Sequence, residues 1–133
     1  MKVLIIDGQG GGIGAQLVTA IIKNFPEYGL TVVGTNSSAT AAMLKAGAKD
    51  AATGENPVVA GCRSADIIIG PIGIVIADSL LGEVTPAMAV AVGQSRAKRI
   101  LIPVNQCDNT VVGVVDTSVA RLVQNVVEIV KSF

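Results

Sequence analysis

One stretch constrains this chain more than any other: Val3-Leu4-Ile5-Ile6-Asp7 running into Gly8-Gln9-Gly10-Gly11-Gly12-Ile13-Gly14. Four consecutive aliphatic residues leave the strand Lys2 to Asp7 no polar face, so both of its sides must be covered. That is the condition of a central strand in a parallel sheet. Five glycines then lead into a segment where Ile13, Leu17, Val18, Ile21, Ile22 and Phe25 share one helical stripe. This predicts a helix from within the glycines to Phe25, ended by Pro26 and Gly29. Glycines at such a junction bare the backbone N–H groups of a helix N-terminus, which donate to phosphate oxygens while the helix dipole adds attraction. The same glycines would serve equally in a turn that only packs the helix closely on its sheet.

The rest of the chain repeats the strand–helix alternation. Leu30 to Thr35 reads as a second strand, and a helix capped by Asn36 or Ser37 runs to Gly47. A short third strand fits within residues 48–54, and a short helix with Pro57 near its first turn follows. Asp66 to Ile69 begins a fourth strand. Thr85-Pro86 starts a helix reaching Ser95, and Arg99 to Val104 is a fifth strand. Residues 105–110 turn the chain, Val111 to Val115 read as a sixth, antiparallel edge strand, and Asp116 or Thr117 caps a last helix. In that helix Val119, Leu122, Val123, Val126, Val130 and Phe133 recur at helical spacing. The pattern predicts one α/β domain over residues 1–133, a doubly wound, mostly parallel sheet with helices on both faces. Its expected strand order is 3-2-1-4-5, with strand six beside five. Ligands of such sheets bind at the carboxyl ends of the strands where the order reverses, here between strands one and four.

Composition narrows the function. The chain is 50% hydrophobic and 2% aromatic, with a formal net charge of zero, so nucleic acid is not the expected partner. Arg96, Lys98 and Arg99 form the only basic cluster, and they precede a strand, away from the carboxyl ends. No apolar run approaches the roughly 18 to 20 residues of a membrane span. Cys62 and Cys107 have no metal-type spacing, no metal site is expected, and Met1 to Asp7 is already strand rather than leader. These features together predict a cytoplasmic protein. Histidine is absent, which removes every mechanism that needs an imidazole. The surplus of apolar residues predicts a homo-oligomer.

The glycine loop fits two registers. Gly10 to Ala15 matches G-x-G-x-x-A, the dinucleotide fingerprint. Gly8, Gly12 and Gly14 match G-x-x-x-G-x-G and resemble the loop of short-chain dehydrogenases over the first 40 or so residues. Both point to NAD or NADP. The Tyr-x-x-x-Lys pair that this resemblance implies is missing: Tyr28, the one tyrosine, is followed four residues on by Val32. An NAD site also wants an acid at the end of strand two. Here stand Thr35, Asn36, Ser37 and Ser38; the last three can hydrogen-bond a ribose or a 2′-phosphate, but no Arg or Lys stands beside them, and a smaller phosphorylated ligand fits as well. In the methyltransferase pattern one residue separates the acid from the glycines, whereas Asp7 abuts Gly8.

A second group faces the same crevice. Gly70, Pro71 and Gly73 follow strand four and permit close backbone approach. Asp78, Ser79, Glu83 and Thr85 are the polar groups of an otherwise apolar segment. That segment is a candidate second wall, with Asp78 or Glu83 binding or acting as a general base, and Thr85 reads first as a helix cap. Asp7 is the third acidic candidate, for ribose, metal or simply ordering the loop. Asn105 and Gln106 end strand five near the crevice. Cys107 has no base partner as a nucleophile, and Cys62 reads as core. The expected ligand residues are therefore Gly8, Gly10, Gly11, Gly12, Ile13, Gly14, Asn36, Ser37, Gly70, Pro71 and Gly73.

The stretches Ile6–Gly14, Asp66–Ala89 and Arg99–Cys107 together resemble a bacterial family of unknown function with a Rossmann-like fold. The resemblance covers nearly the whole chain and implies a nucleotide-type ligand without naming a reaction. A binding protein, a small cofactor-dependent enzyme using the acids after strand four, and a non-catalytic assembly protein all remain open.

Overall fold

A computed structural model describes residues 1–104 and 109–133. Its sheet has five strands, β1 (Lys2–Asp7), β2 (Gly29–Gly34), β3 (Asp50–Thr53), β4 (Ile67–Pro71) and β5 (Lys98–Ile102). They lie in the order β3-β2-β1-β4-β5, and every pairing is parallel. The helices are α1 (Gly12–Asn24), α2 (Ser37–Lys45), α3 (Glu55–Ser64), α4 (Pro86–Gln94) and α5 (Val119–Lys131), with a short 3-10 helix at Ile72–Val75.

Alternation along β1 divides the core in two. Val3 and Ile5 pack with Leu17, Val18 and Ile21 of α1, Met43 of α2 and Val126, Val127 and Val130 of α5. Leu4 and Ile6 point the other way, to Val58 and Cys62 of α3 and Met88 and Val92 of α4. Each such side chain contributes about 1.5–3 kcal/mol on burial, and β1 has one on each of its four central positions. This is the Rossmann-like, doubly wound arrangement. The chain leaves β1 toward β2 and β3, then crosses to β4 on the other side. A crevice therefore opens at the carboxyl ends of β1 and β4. None of the described helices is long and apolar enough to cross a membrane.

Three expectations need correction. Residues 111–115 form no strand: the chain turns at Val112–Gly113, where Gly113 has φ +86°, and Val112 and Val115 are 95% and 79% exposed. Strand preference depends on a half-buried pleated surface, and this segment lies on none. The cap of α5 is Ser118, whose side chain accepts from Arg121 N, rather than Asp116 or Thr117. Strand β5 ends at Ile102, two residues short of Val104. Thr85 and Asn36 do cap α4 and α2. The basic cluster lies at the start of β5, where Arg99 donates to the Ser95 carbonyl at 2.6 Å and Lys98 Nζ sits 4.1 Å over the Phe133 ring.

Two glycines of the fold should respond oppositely to a methyl group. A Cβ on Gly70 would collide with the Ile6 carbonyl oxygen and touch Ile74, whereas one on Gly93, inside α4, meets nothing. Gly70→Ala is expected to cost about 2 kcal/mol or more through overpacking. Gly93→Ala is expected to add about 0.5–1 kcal/mol through helix propensity. Urea unfolding of the two variants checks both signs.

Candidate functional site

The glycine loop is held from beneath by the last residue of β1. Asp7 is 4% exposed, and its two oxygens accept from Gly8 N at 2.8 Å and Gly14 N at 2.6 Å. Gly11 takes φ +75° as the cap of α1, and Gly11 N donates to the Gly8 carbonyl at 3.0 Å. Gly14 must be glycine because a Cβ there would come within 2.9 Å of the Asp7 Cβ and 2.6 Å of Met43 Sδ. It is the packing glycine of the motif. Burial pushes the Asp7 carboxyl above its ordinary range. The Gly14 and Gly8 N–H groups pull it back in part, and the neighbouring Glu83 charge adds to the rise.

Above this clamp the loop is open. The N–H groups of Gly10, Gly12 and Ile13 have no acceptor among the described residues. A Cβ on Gly10 or Gly12 would meet nothing within 4 Å. They border a cavity of about 190 Å³ walled by Asp7, residues 8–13, Pro71, Leu80 and Val104. The far wall therefore comes from β4 and from the segment after it.

That segment concentrates left-handed backbone. Asp78, Leu80 and Leu81 all have φ between +55° and +64°, and Gly82 follows at +85°. A left-handed non-glycine residue costs on the order of 1 kcal/mol or more. Leu80 is buried against Gly8, while Leu81 is 92% exposed. The Ser79 hydroxyl, itself buried, donates to the Gly73 carbonyl and ties the turn to the 3-10 helix. The contortion delivers Glu83 across the crevice to the end of β2. Its Oε1 accepts from Gln9 N at 2.8 Å, Thr35 Oγ1 at 2.7 Å and Asn36 Nδ2 at 2.8 Å. Burial pushes this carboxyl up, but the bonds from Gln9, Thr35 and Asn36 outweigh it and hold Glu83 below the usual range.

Of the residues expected from sequence, Asp7, Gly8, Gly10, Gly11, Gly12, Ile13 and Pro71 come together at the cavity. Gly14 lies behind it. Gly70 and Gly73 pack against Ile6, Ile74 and Ser79 instead of facing the cavity. Asn36 turns its amide to the Gln9 carbonyl and Glu83 while its Oδ1 caps Ala39 N, and Ser37 is exposed beside it. Asp78 is exposed on the outer side of the turn and Glu83 reaches the loop, so the two acids have separate surroundings. Asn105, Gln106 and Cys107 lie outside the described residues. Sequence reasoning missed Gln9, Leu80 and Val104 as lining residues. Their signal was weak: one is polar within a glycine run, and two are ordinary aliphatics.

A family model described as a domain of unknown function, DUF3842, matches residues 2–133, and the chain belongs to that family. No curated protein matches the chain.

The Glu83 network makes a pH-dependent contribution of known sign. Its carboxyl titrates lower in the folded than in the unfolded chain, so it stabilises above the ordinary glutamate value of 4.5. That gain is lost as pH falls through the folded value. Glu83→Gln is expected to cost about 1 kcal/mol at neutral pH, because neutral acceptors bind less strongly. The variant should also lose stability less steeply than wild type on the acid side of that window, as read by urea unfolding at stepped pH.

Proposed function

We propose that this family member binds a nucleotide or similar phosphorylated ligand, with a phosphate seated on the Gly10, Gly12 and Ile13 N–H groups. The observation that carries this reading is the trio of donors, at and just before the start of α1, that have no acceptor among the described residues and border a cavity where Gly10 and Gly12 leave open space. Fixed donors at a helix N-terminus attract an anion without needing a cationic side chain. The clamp at Asp7 holds those donors in place before any ligand arrives.

NAD or NADP fits this site in part. The open Gly10 and Gly12 positions suit a pyrophosphate, Ala15 stands at the fingerprint's third position, and the close-packed Gly14 is the last glycine of the other register, Gly8, Gly12 and Gly14. Ligand pockets that enclose a whole small molecule run to about 300 Å³ or more. The cavity of about 190 Å³ accepts the phosphate portion and leaves the remainder on the rim. Bound dinucleotide would supply hydride chemistry; the residues here bind and orient. Among the described residues lining the cavity, Asp7 is the one acid, and both of its oxygens are engaged with the loop. Binding, rather than catalysis, is thus the function the geometry supports best.

Self-association is proposed on a separate observation. Most of the apolar stripe of α5 is covered by the chain's own core, and Leu81, Val112 and Val115 are the most exposed aliphatics among the described residues. A homo-oligomer would cover them, and a monomeric mass by light scattering at micromolar concentration would remove the idea.

The binding reading is tested by thermal shift with pyrophosphate, ADP and NAD. Saturating ligand is expected to raise the melting temperature by several degrees, since about 100 times Kd contributes about 2.7 kcal/mol. Gly12→Val should still fold, because a Cβ there meets nothing within 4 Å, yet show no shift. Absence of any shift in wild type would sink the reading.

A further inference from the structure

The end of β2 carries no acid, yet a carboxylate stands there. We infer that Glu83, delivered by the turn after β4, is the ribose-recognising acid of this site, and that the ligand is a ribonucleotide with free 2′ and 3′ hydroxyls. The inference rests on the phosphate reading above and deepens it.

In folds of this kind a nucleotide whose phosphate sits on the first helix lays its ribose over the end of the second strand, where an acid accepts the hydroxyls. The residues at that place here are Thr35 and Asn36. Both donate to Glu83 Oε1, at 2.7 and 2.8 Å, across 48 and 47 positions of sequence. The third donor, Gln9 N, belongs to the glycine loop and borders the cavity. Leu80 walls the same cavity, and its carbonyl accepts from Glu83 N at 3.1 Å. The carboxylate is thus fixed between phosphate cradle and strand-two end. All three of its bonds fall on Oε1, and Oε2 has no partner among the described residues. Glu83 is only partly buried, so that oxygen is open to a ligand hydroxyl.

A purely structural role explains the three bonds on Oε1 but makes no use of Oε2. Three left-handed non-glycine residues precede the glutamate within six positions. An acid placed on β2 itself would avoid that strain, which is the kind found at binding and switch sites. The charge also sets specificity. A 2′-phosphate would face Glu83 with no Lys or Arg among residues 34–38, so the site favours NAD-type over NADP-type ribose.

Isothermal titration calorimetry with ADP, 2′,3′-dideoxy-ADP, adenosine 2′,5′-bisphosphate and pyrophosphate tests this. Wild type is expected to bind ADP at least about tenfold more tightly than the dideoxy analogue, the loss typical of hydrogen bonds to a charged group. The bisphosphate should bind more weakly than ADP. In Glu83→Gln, checked for folding by circular dichroism, the ratio of ADP to dideoxy-ADP affinity should fall toward one. That ratio cancels any general loosening of the loop, which would weaken both ligands and pyrophosphate alike. Equal affinities of wild type for ADP and the dideoxy analogue would overturn the inference while pyrophosphate binding still upheld the phosphate cradle. Tighter ADP binding by Glu83→Gln would overturn it too, making Glu83 a plug over the ribose position. No binding of pyrophosphate or ADP would remove both readings together.

Discussion

The site depends on a buried carboxylate at the end of the central strand. Asp7 is buried at the floor of the cavity, and no cation pairs with it among the described residues. Two backbone N–H groups, from Gly8 and Gly14, satisfy it. A charge buried without such donors would be expelled or protonated. Here the arrangement runs both ways: the loop solvates the acid, and the acid fixes the loop. Six residues separate Asp7 from Gly14, and they form a tight arch that Gly11 N closes on the Gly8 carbonyl, leaving Gly10, Gly12 and Ile13 N–H without an acceptor among the described residues. The helix N-terminus is therefore presented at a defined place relative to the sheet.

Glu83 extends the same logic sideways. It binds the top of the arch through Gln9 and the end of β2 through Thr35 and Asn36. Asn36 does three things at once, capping α2, bonding the Gln9 carbonyl and donating to Glu83. Three segments that are remote in sequence are thus joined on one oxygen atom. The glutamate can reach it because Leu80 is buried beside Gly8 and because the following turn accepts left-handed backbone. Burial of one leucine, worth about 2 kcal/mol, together with the three bonds offsets the strain of the turn.

The fold was legible because its signals are local and repeated. Val3 to Ile6 is apolar on both faces, which leaves little but a central parallel strand, and each helix carried its stripe or its cap. Where sequence reasoning placed a strand on Val111 to Val115, it read β-branched residues as sufficient. A strand also needs a neighbour with free hydrogen-bonding groups and a surface to lie on, and neither is written in the segment itself. The site was half legible. Glycine spacing shows a cradle because the need for bare backbone is local. That Asp7 solvates itself on the loop was an open alternative, since seven-residue spacing does not say which way a carboxylate turns. That Glu83 faces the crevice was an expectation; that it reaches the end of β2 was not legible. It depends on φ values at Asp78, Leu80 and Leu81 that those residue types ordinarily avoid.

The electrostatics of the cradle limit what it can hold. The helix terminus offers roughly half a positive charge, and two carboxylates lie close by with no ion pair to either among the described residues. Their charge is partly absorbed by the bonds they accept, and Asp7 is biased toward its neutral form by burial. On the proposed reading, pyrophosphate would seat on the N–H groups but gain less than a nucleotide, because its charge meets both acids at short range. A ligand with its phosphate at one end and neutral hydroxyl donors at the other would gain more. It would place the anion on the N–H groups and turn the nearer carboxylate from a repulsive neighbour into an acceptor. The pairing of a glycine loop with acids that no cation neutralises among the described residues would then act as a filter, selecting ligands in which charge and hydroxyl donors are separated along the molecule.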